Sequence, residues 1–278
     1  MLSLNSYYEL LVVILILSLI FLYDKSSVFR YYSKYFIYYT YISVEAVFMI
    51  PVFMLKARNV SNLVLASQLS KQVTSIIRVN WEIRGAEILS QDKPFVIVAN
   101  HQSSIDVLGM FQIWHIMKKC TVVARKELLY VFPVGLASWL CGLVFIDRKN
   151  AQKAKEKINE VGDYLKEKNI KLWFYPEGTR RNTREIHEFK KGAFHFAVSQ
   201  QLPILPVVIS SYSSFLDDKN KRFDQGNVII TALPPISTRG LEKSDIEDLM
   251  ERTRNTMIKT YIDTSNEIDA KRKLSDLS

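Results

Sequence analysis

Residues 94–106 read PFVIVANHQSSID, and this stretch decides the fold. Phe95 to Ala99 is a continuous apolar run, the form taken by a strand buried on both faces. The polar block Asn100–Asp106 breaks the run, and from Val107 the sequence VLGMFQIWHIM resumes as a helical stretch. The pattern predicts a strand over 94–99 and a helix over 104–118. Strand, polar turn and helix make the start of a βα unit. The turn then lies at the carboxyl end of a strand, where open α/β sheets present their ligand-facing groups.

Outward from this unit the same alternation repeats. Further strands are expected at 80–87, 121–125, 144–147, 171–175, 204–210 and 228–232, with helices at 133–140, 150–168, 191–201 and 243–265. Strands alternating with helices predict an α/β domain with a mixed, mostly parallel sheet flanked by helices. Its expected extent is 56–270, followed by a disordered tail at 271–278.

The first 55 residues differ in composition. Leu10–Tyr23 (LLVVILILSLIFLY) is uncharged, and with the preceding residues (about 7–23) it has the length of a helix spanning ~30 Å of hydrocarbon. It has neither the basic start nor the A-x-A-like cleavage site of a secretory signal, so it reads as a retained anchor. A polar stretch holding Lys25, Arg30 and Lys34 follows. The second apolar run, 35–55, has one charge, Glu45, and one proline, Pro51. Residues 1–55 are therefore expected to form an N-terminal hairpin, either transmembrane or membrane-embedded. Many of the 29 Tyr and Phe residues crowd into this region, as a membrane boundary favours.

The whole chain has 278 residues, 48% of them hydrophobic, which excludes a disordered protein. Lys and Arg number 37 against 28 Asp and Glu, a formal charge of +9 that favours anionic partners. A nucleic-acid module would explain that charge but not two apolar anchors, so no nucleic-acid partner is expected. Cys120 and Cys141 lie 21 residues apart, lack metal-site spacing and read as buried thiols in a reducing compartment. No metal site is expected.

Three blocks carry chemistry, each after an apolar strand. In the first, His101 is followed five residues later by Asp106, which can turn back and hold the imidazole in one tautomer. Taken alone, a helix start is the preferred reading of the block: Ser103 or Ser104 as N-cap, with Asp106 in the first turn. The second is GLVFIDR (142–148), ending in Asp147 and Arg148. In the third, FYPEGTR (174–180), Pro176 and Gly178 force a tight turn, so backbone N–H groups and the Arg180 guanidinium can face one small anion. His115, His187 and His195 read as structural or surface residues. Three strand ends carrying His101, Arg148, and Glu177 with Arg180 converge at one end of a sheet.

In this order, NHQSSID (100–106), GLVFIDR (142–148), FYPEGTR (174–180) and LPILPVV (202–208) resemble the blocks of the glycerolipid acyltransferases. FKKGAFHFAV (189–198) and SSY (210–212) are similar to the 1-acylglycerol-3-phosphate O-acyltransferase branch. The loop 181–188 (RNTREIHE) departs from that pattern, lacking its Gly and Leu-Pro.

The resemblance implies transfer of a fatty acyl group from acyl-CoA to the sn-2 hydroxyl of lysophosphatidic acid, giving phosphatidic acid. Acyl-CoA would be a co-substrate, with no cofactor. His101 would be the general base and Asp106 its orienting partner, while Arg148, Glu177, Gly178, Thr179 and Arg180 would position the acceptor. The expected location is the endoplasmic reticulum membrane, and the free cysteines favour the cytosolic side for the catalytic domain. Another lysophospholipid or glycerol 3-phosphate as acceptor, and a catalytically silent lipid-binding protein, are the alternative readings.

Overall fold

The computed structural model describes residues 4–147 and 150–275. Two long helices come first, α1 (Leu4–Lys25) and α2 (Ser27–Met54), followed by α3 (Ser61–Ser70) and the single-turn α4 (Val73–Ile76). The remainder alternates: β1 (Val79–Arg84), α5 (Ala86–Leu89), β2 (Val96–Ala99), α6 (Asp106–Met117), β3 (Cys120–Arg125), α7 (Val134–Leu140) and β4 (Val144–Ile146). Then come α8 (Ala151–Glu160), α9 (Gly162–Glu167), β5 (Lys171–Phe174), α10 (Gly192–Gln200) and β6 (Ile204–Ile209). The short strands β7 (Leu216–Asp217) and β8 (Arg222–Phe223), then β9 (Gly226–Ala232) and α11 (Ile246–Ser275), complete the chain.

All seven strands expected from the sequence are present and form one sheet in the order β1-β9-β6-β2-β5-β3-β4. Strands β2 to β6 are mutually parallel. Only β9, antiparallel to β6, and β1, parallel to β9, run the other way. The carboxyl ends of β2, β3, β4 and β5 therefore emerge at one edge, and β2 lies between β6 and β5.

Successive side chains of a strand point to opposite faces, and both faces here are covered. Ile97, Ala99, Trp173, Leu205 and Val207 pack with residues of α2, α3, α6 and α7. Val96, Val98, Leu172, Phe174 and Val208 pack with α8, α9, α10 and α11. Complete burial of each Val, Ile or Leu contributes about 1.5–3 kcal/mol, so the continuous apolar strands hold the three layers together. Cys120 and Cys141 are buried, unpaired thiols.

Both N-terminal helices are long and apolar enough to cross a bilayer. They differ in their surroundings: α1 is bare over its apolar length, whereas α2 buries Tyr31, Lys34, Tyr38, Ala46 and Phe53 against the sheet domain. The polar stretch expected between the two apolar runs is mostly helix, broken only at Ser26. Lys25 stays exposed beside Asp24, whereas Arg30 and Lys34 turn to the domain. Arg30 Nη2 lies 2.8 Å from Asp224 Oδ1, and Lys34 Nζ donates to the Asp224 carbonyl at 2.6 Å, with the Phe223 ring beneath it.

Three further differences are local. The helix expected over 150–168 is two helices, divided at Val161. The terminal helix continues to Ser275 instead of giving way to a tail at Lys271; Ile268 is buried, and Lys271 pairs with Glu267 one turn back at 2.8 Å. Strands β7 and β8, two residues each, are too short to leave a period in the sequence.

Candidate active site

Where the β2 backbone ladder ends, with Ala99 paired to Val207, side chains continue it. Asn100 Nδ2 donates to the Ile209 carbonyl at 2.9 Å, and Asn100 Oδ1 accepts the Ile209 N–H at 2.8 Å. Gln102 Nε2 donates to the carbonyls of Ile209 and Ser210, while its Oε1 accepts from Tyr212 N and Tyr261 Oη. The residues on either side of His101 are thus fastened to β6 and α11. His101 is left raised at the sheet edge, its side chain 17% exposed.

Asp106 opens α6 and is fully buried. Its Oδ2 lies 2.6 Å from His101 Nδ1 and accepts the Gln102 N–H at 2.8 Å, and the carboxylate also accepts the Ser103 N–H at 3.2 Å. No side-chain cap comes from Ser103 or Ser104; the Asp106 carboxylate itself satisfies the backbone donors of the turn. A carboxylate held at Nδ1 favours the tautomer with the proton there and leaves Nε2 to accept one. The Tyr175 ring stacks on the imidazole at 3.9 Å and 18° between planes, fixing its remaining rotation.

The block after β5 grips the same histidine by its backbone. Gly178 N donates to the Tyr175 carbonyl at 3.1 Å, closing a turn with Pro176 at its second position and Gly178 at φ +73°, a conformation natural to glycine. Glu177 Oε1 accepts the His101 N–H at 2.7 Å, Glu177 Oε2 accepts the His187 N–H at 3.2 Å, and Arg181 N donates to the His101 carbonyl at 3.1 Å. Glu177 is 6% exposed, and burial pushes its carboxyl up to about 7 against those two donors. The sequence placed Glu177 beside the acceptor; the structure places it beneath His101. Thr179 and Arg180 are exposed on the rim. Arg148 lies outside the described residues.

Two cavities are lined by neighbours of His101, one by Gln102, Ser103 and Ser104 and the other by Tyr175. One, of about 720 Å3, lies between α2 and the first block and is lined by Tyr31, Tyr35, Tyr39, Ser103, Ser104 and Arg180 among others. The second, about 380 Å3 and mostly apolar, is lined by Ile146, Ile158, Phe174 and Phe196, together with Tyr175, Gly178 and Lys190.

The similarities of the chain agree with this geometry. A family model described as Acyltransferase matches residues 80–210, the span that holds all the blocks. The chain is 37% identical over 238 residues to the 1-acyl-sn-glycerol-3-phosphate acyltransferase alpha of Bos taurus, covering 86% of this chain and 82% of that one. It is 36% identical to the human beta enzyme, over 75% and 74% of the two chains. The chain belongs to the 1-acyl-sn-glycerol-3-phosphate acyltransferase family. Its fold matches the crystal structure of the 1-acyl-sn-glycerophosphate acyltransferase PlsC of Thermotoga maritima, with a TM-score of 0.66, 21% identity, and coverage of 85% of this chain and 95% of that one.

As a member of this family, the chain has a feature that the motif blocks alone do not reveal, the α2 tyrosines. Tyr38 Oη donates to the Ser104 carbonyl at 3.1 Å, Tyr39 Oη to Ser104 Oγ at 2.9 Å, and Tyr35 Oη lies 3.3 Å from Ser103 Oγ. They stand at i, i+3 and i+4, one helical face, and that spacing was the available signal. The atypical loop 181–188 is held by α11. Arg254 donates to the carbonyls of Ile186 and His187 at 2.7 and 2.9 Å, and Ile186 is buried in the core.

Proposed function

We propose that this chain transfers a fatty acyl group from acyl-CoA to the sn-2 hydroxyl of 1-acyl-sn-glycerol 3-phosphate, forming phosphatidic acid and free CoA. The observation that carries the reading is His101 Nδ1 at 2.6 Å from a fully buried Asp106, with the neighbouring Gln102, Ser103 and Ser104 lining one cavity and Tyr175, stacked on the imidazole, lining another. Nε2 takes the proton of the acceptor hydroxyl as its oxygen attacks the thioester carbonyl. The carbon–sulfur bond then breaks, and the proton passes to the departing thiolate. Asp106 stabilises the imidazolium between those events. A thioester is already activated, so no enzyme nucleophile is required. Engagement of the Ser103 and Ser104 hydroxyls by Tyr35 and Tyr39 supports direct attack.

In this scheme Arg180, with Thr179, Gly178 and Arg148, receives the acceptor phosphate, for which a guanidinium offers paired donors. The apolar cavity receives the donor's acyl chain. Glu177 acts through His101, holding its backbone in place. The aromatic flank of α2 lets the acceptor keep its own chain in lipid. Two apolar helices and buried free thiols support a place at the endoplasmic reticulum membrane with this site facing the cytosol.

The test is acyl transfer from labelled oleoyl-CoA by the purified, detergent-solubilised protein to lysophosphatidic acid, glycerol 3-phosphate and lysophosphatidylcholine. Phosphatidic acid is expected from lysophosphatidic acid alone, with a loss of about 10²- to 10⁴-fold in His101→Ala. Product from another acceptor, or equal turnover by folded His101→Ala, overturns the assignment.

A further inference from the structure

The loop after β3 takes no part in the chemistry above, yet β3 ends at the same sheet edge as β2 and β5. Lys126–Tyr130 forms a 3-10 turn there and passes through Val131, Phe132 and Pro133 into α7. Its apolar side chains face outward: Tyr130 is 78% exposed, Phe132 74%, Val131 53% and Leu129 37%, with Leu136 of α7 at 38%. Adjacent exposed apolar residues of this size mark an interaction surface rather than a solvated loop.

The projection is built into the fold. Val131 N donates to the Leu128 carbonyl at 3.1 Å and Gly135 N to the Val131 carbonyl at 2.6 Å, while Leu128 and Val134 pack into the core. A Cβ on Gly135 would sit 2.3 Å from the Leu129 carbonyl oxygen and 2.4 Å from that of Leu128, so only glycine lets α7 press against the turn. With the backbone pinned in this way, the four side chains are held out.

Two observations identify what covers them. The first is continuity with the hairpin. Asn59 N and Asn62 Nδ2 donate to the Leu140 carbonyl at 3.2 and 3.1 Å, and the Arg58 guanidinium lies 5.4 Å from the Trp139 ring centre, tying α7 to the end of α2. That end of α2 leaves Val52, Met54 and Leu55 exposed, so apolar surface runs from the hairpin towards the tip. The second is charge. Lys56, Arg58, Arg125 and Lys126 are exposed on these segments, against Glu127 within the turn and Asp147, which pairs with Lys126 at 2.5 Å. Apolar and aromatic side chains backed by cations fit an anionic bilayer surface, with the rings at the headgroup boundary and the cations among lipid phosphates.

We propose that Leu129–Phe132, with Leu136, is a second membrane contact that enters the leaflet carrying the hairpin and holds the active-site edge of the sheet against lipid. The inference rests on the hairpin being membrane-embedded, and the experiment reports that separately.

Full-length Val131→Cys, labelled with the polarity-sensitive fluorophore NBD, is reconstituted in phosphatidylcholine–phosphatidylglycerol vesicles beside Lys93→Cys, which labels the opposite edge of the sheet. Cys120 and Cys141 are buried and take no label. Quenching by headgroup-proximal spin-labelled lipid should be several-fold greater at position 131, with matching protection from aqueous iodide. Equal lipid quenching at both positions overturns the proposal. Protection from iodide without lipid quenching also overturns it, since a protein, such as a second copy of this chain, then covers the tip. Vesicle flotation of the protein carrying both Tyr130→Ser and Phe132→Ser reports the hairpin without the tip, and failure there refutes the hairpin reading whatever the labels report. In addition, the pair Tyr130→Ser and Phe132→Ser should lower turnover of a long-chain acceptor in vesicles several-fold while leaving a short-chain acceptor in solution unchanged. An equal loss on both acceptors would make the tip structural and overturn the proposal.

Discussion

Asp106→Asn tests the site most directly, because its consequences for rate and for stability can be worked out separately. In the native structure the carboxylate serves three donors, the His101 Nδ1–H and the backbone N–H groups of Gln102 and Ser103. Asparagine has one acceptor oxygen. If that oxygen stays by Gln102 and His101, the Ser103 N–H, shared between both carboxylate oxygens at 3.2 Å, keeps it but faces the NH2 at the other position. One buried donor is then half-served, a cost of about 1 kcal/mol. If the amide turns over, its NH2 faces His101, Nδ1 must accept, and the proton moves to Nε2, which can then no longer act as base. In the first arrangement the tautomer survives but the negative charge opposite the imidazolium is gone.

Either way kcat falls. The corresponding loss in hydrolases with a His–Asp pair sets the scale at about 10⁴. Asp106 is fully buried behind the histidine, so KM for the acceptor should move by no more than a few-fold. The assay is steady-state acyl transfer in detergent alongside a thermal melt, in which the weakened hydrogen bond lowers Tm by a few degrees. A folded Asp106→Asn protein within tenfold of the wild-type kcat would refute the reasoning. So would a loss carried wholly by KM.

Two other perturbations probe the surroundings. The Glu177 carboxyl is raised from 4.5 to about 7 in the folded chain, so folding favours its protonated form. That contribution, on the order of 3 kcal/mol, is complete below about pH 4.5 and is lost as pH rises through about 7. Glu177→Gln, which cannot ionise, should flatten this component of a Tm-against-pH series, and an unchanged slope would show that Glu177 does not carry it. Arg180→Ala should raise the acceptor's apparent KM about tenfold or more and leave that of acyl-CoA unaltered. A change confined to acyl-CoA would move the phosphate away from Arg180.

The motif blocks were legible because their roles are local. Asp106 acts on His101 five residues away, and a buried strand shows itself as an unbroken apolar run. Asn100 and Gln102 had no role legible in the sequence, since their partners Ile209, Ser210 and Tyr261 lie more than a hundred residues away. Glu177 was legible as a member of the site but not in its task, since a carboxylate beside an arginine in sequence suggests a surface anion site. Only the fold shows that its acceptors meet the backbone N–H groups of His101 and His187. The α2 tyrosines were assigned by composition to a membrane boundary, and their hydroxyl partners lie more than sixty residues away.

The sequence by itself determined the seven strands, the βα alternation, the apolar hairpin and the pairing of His101 with Asp106. Each is set by hydrophobic period or by the reach of a side chain within a turn. Only the tertiary structure decided that α2 lies along the sheet domain rather than apart from it, that Arg30 and Lys34 are held at Asp224, and that an exposed aromatic tip follows β3 at the sheet edge where the active site lies. Those outcomes depend on which surfaces meet across long separations. Chain geometry leaves them open until the sheet order brings the partners together.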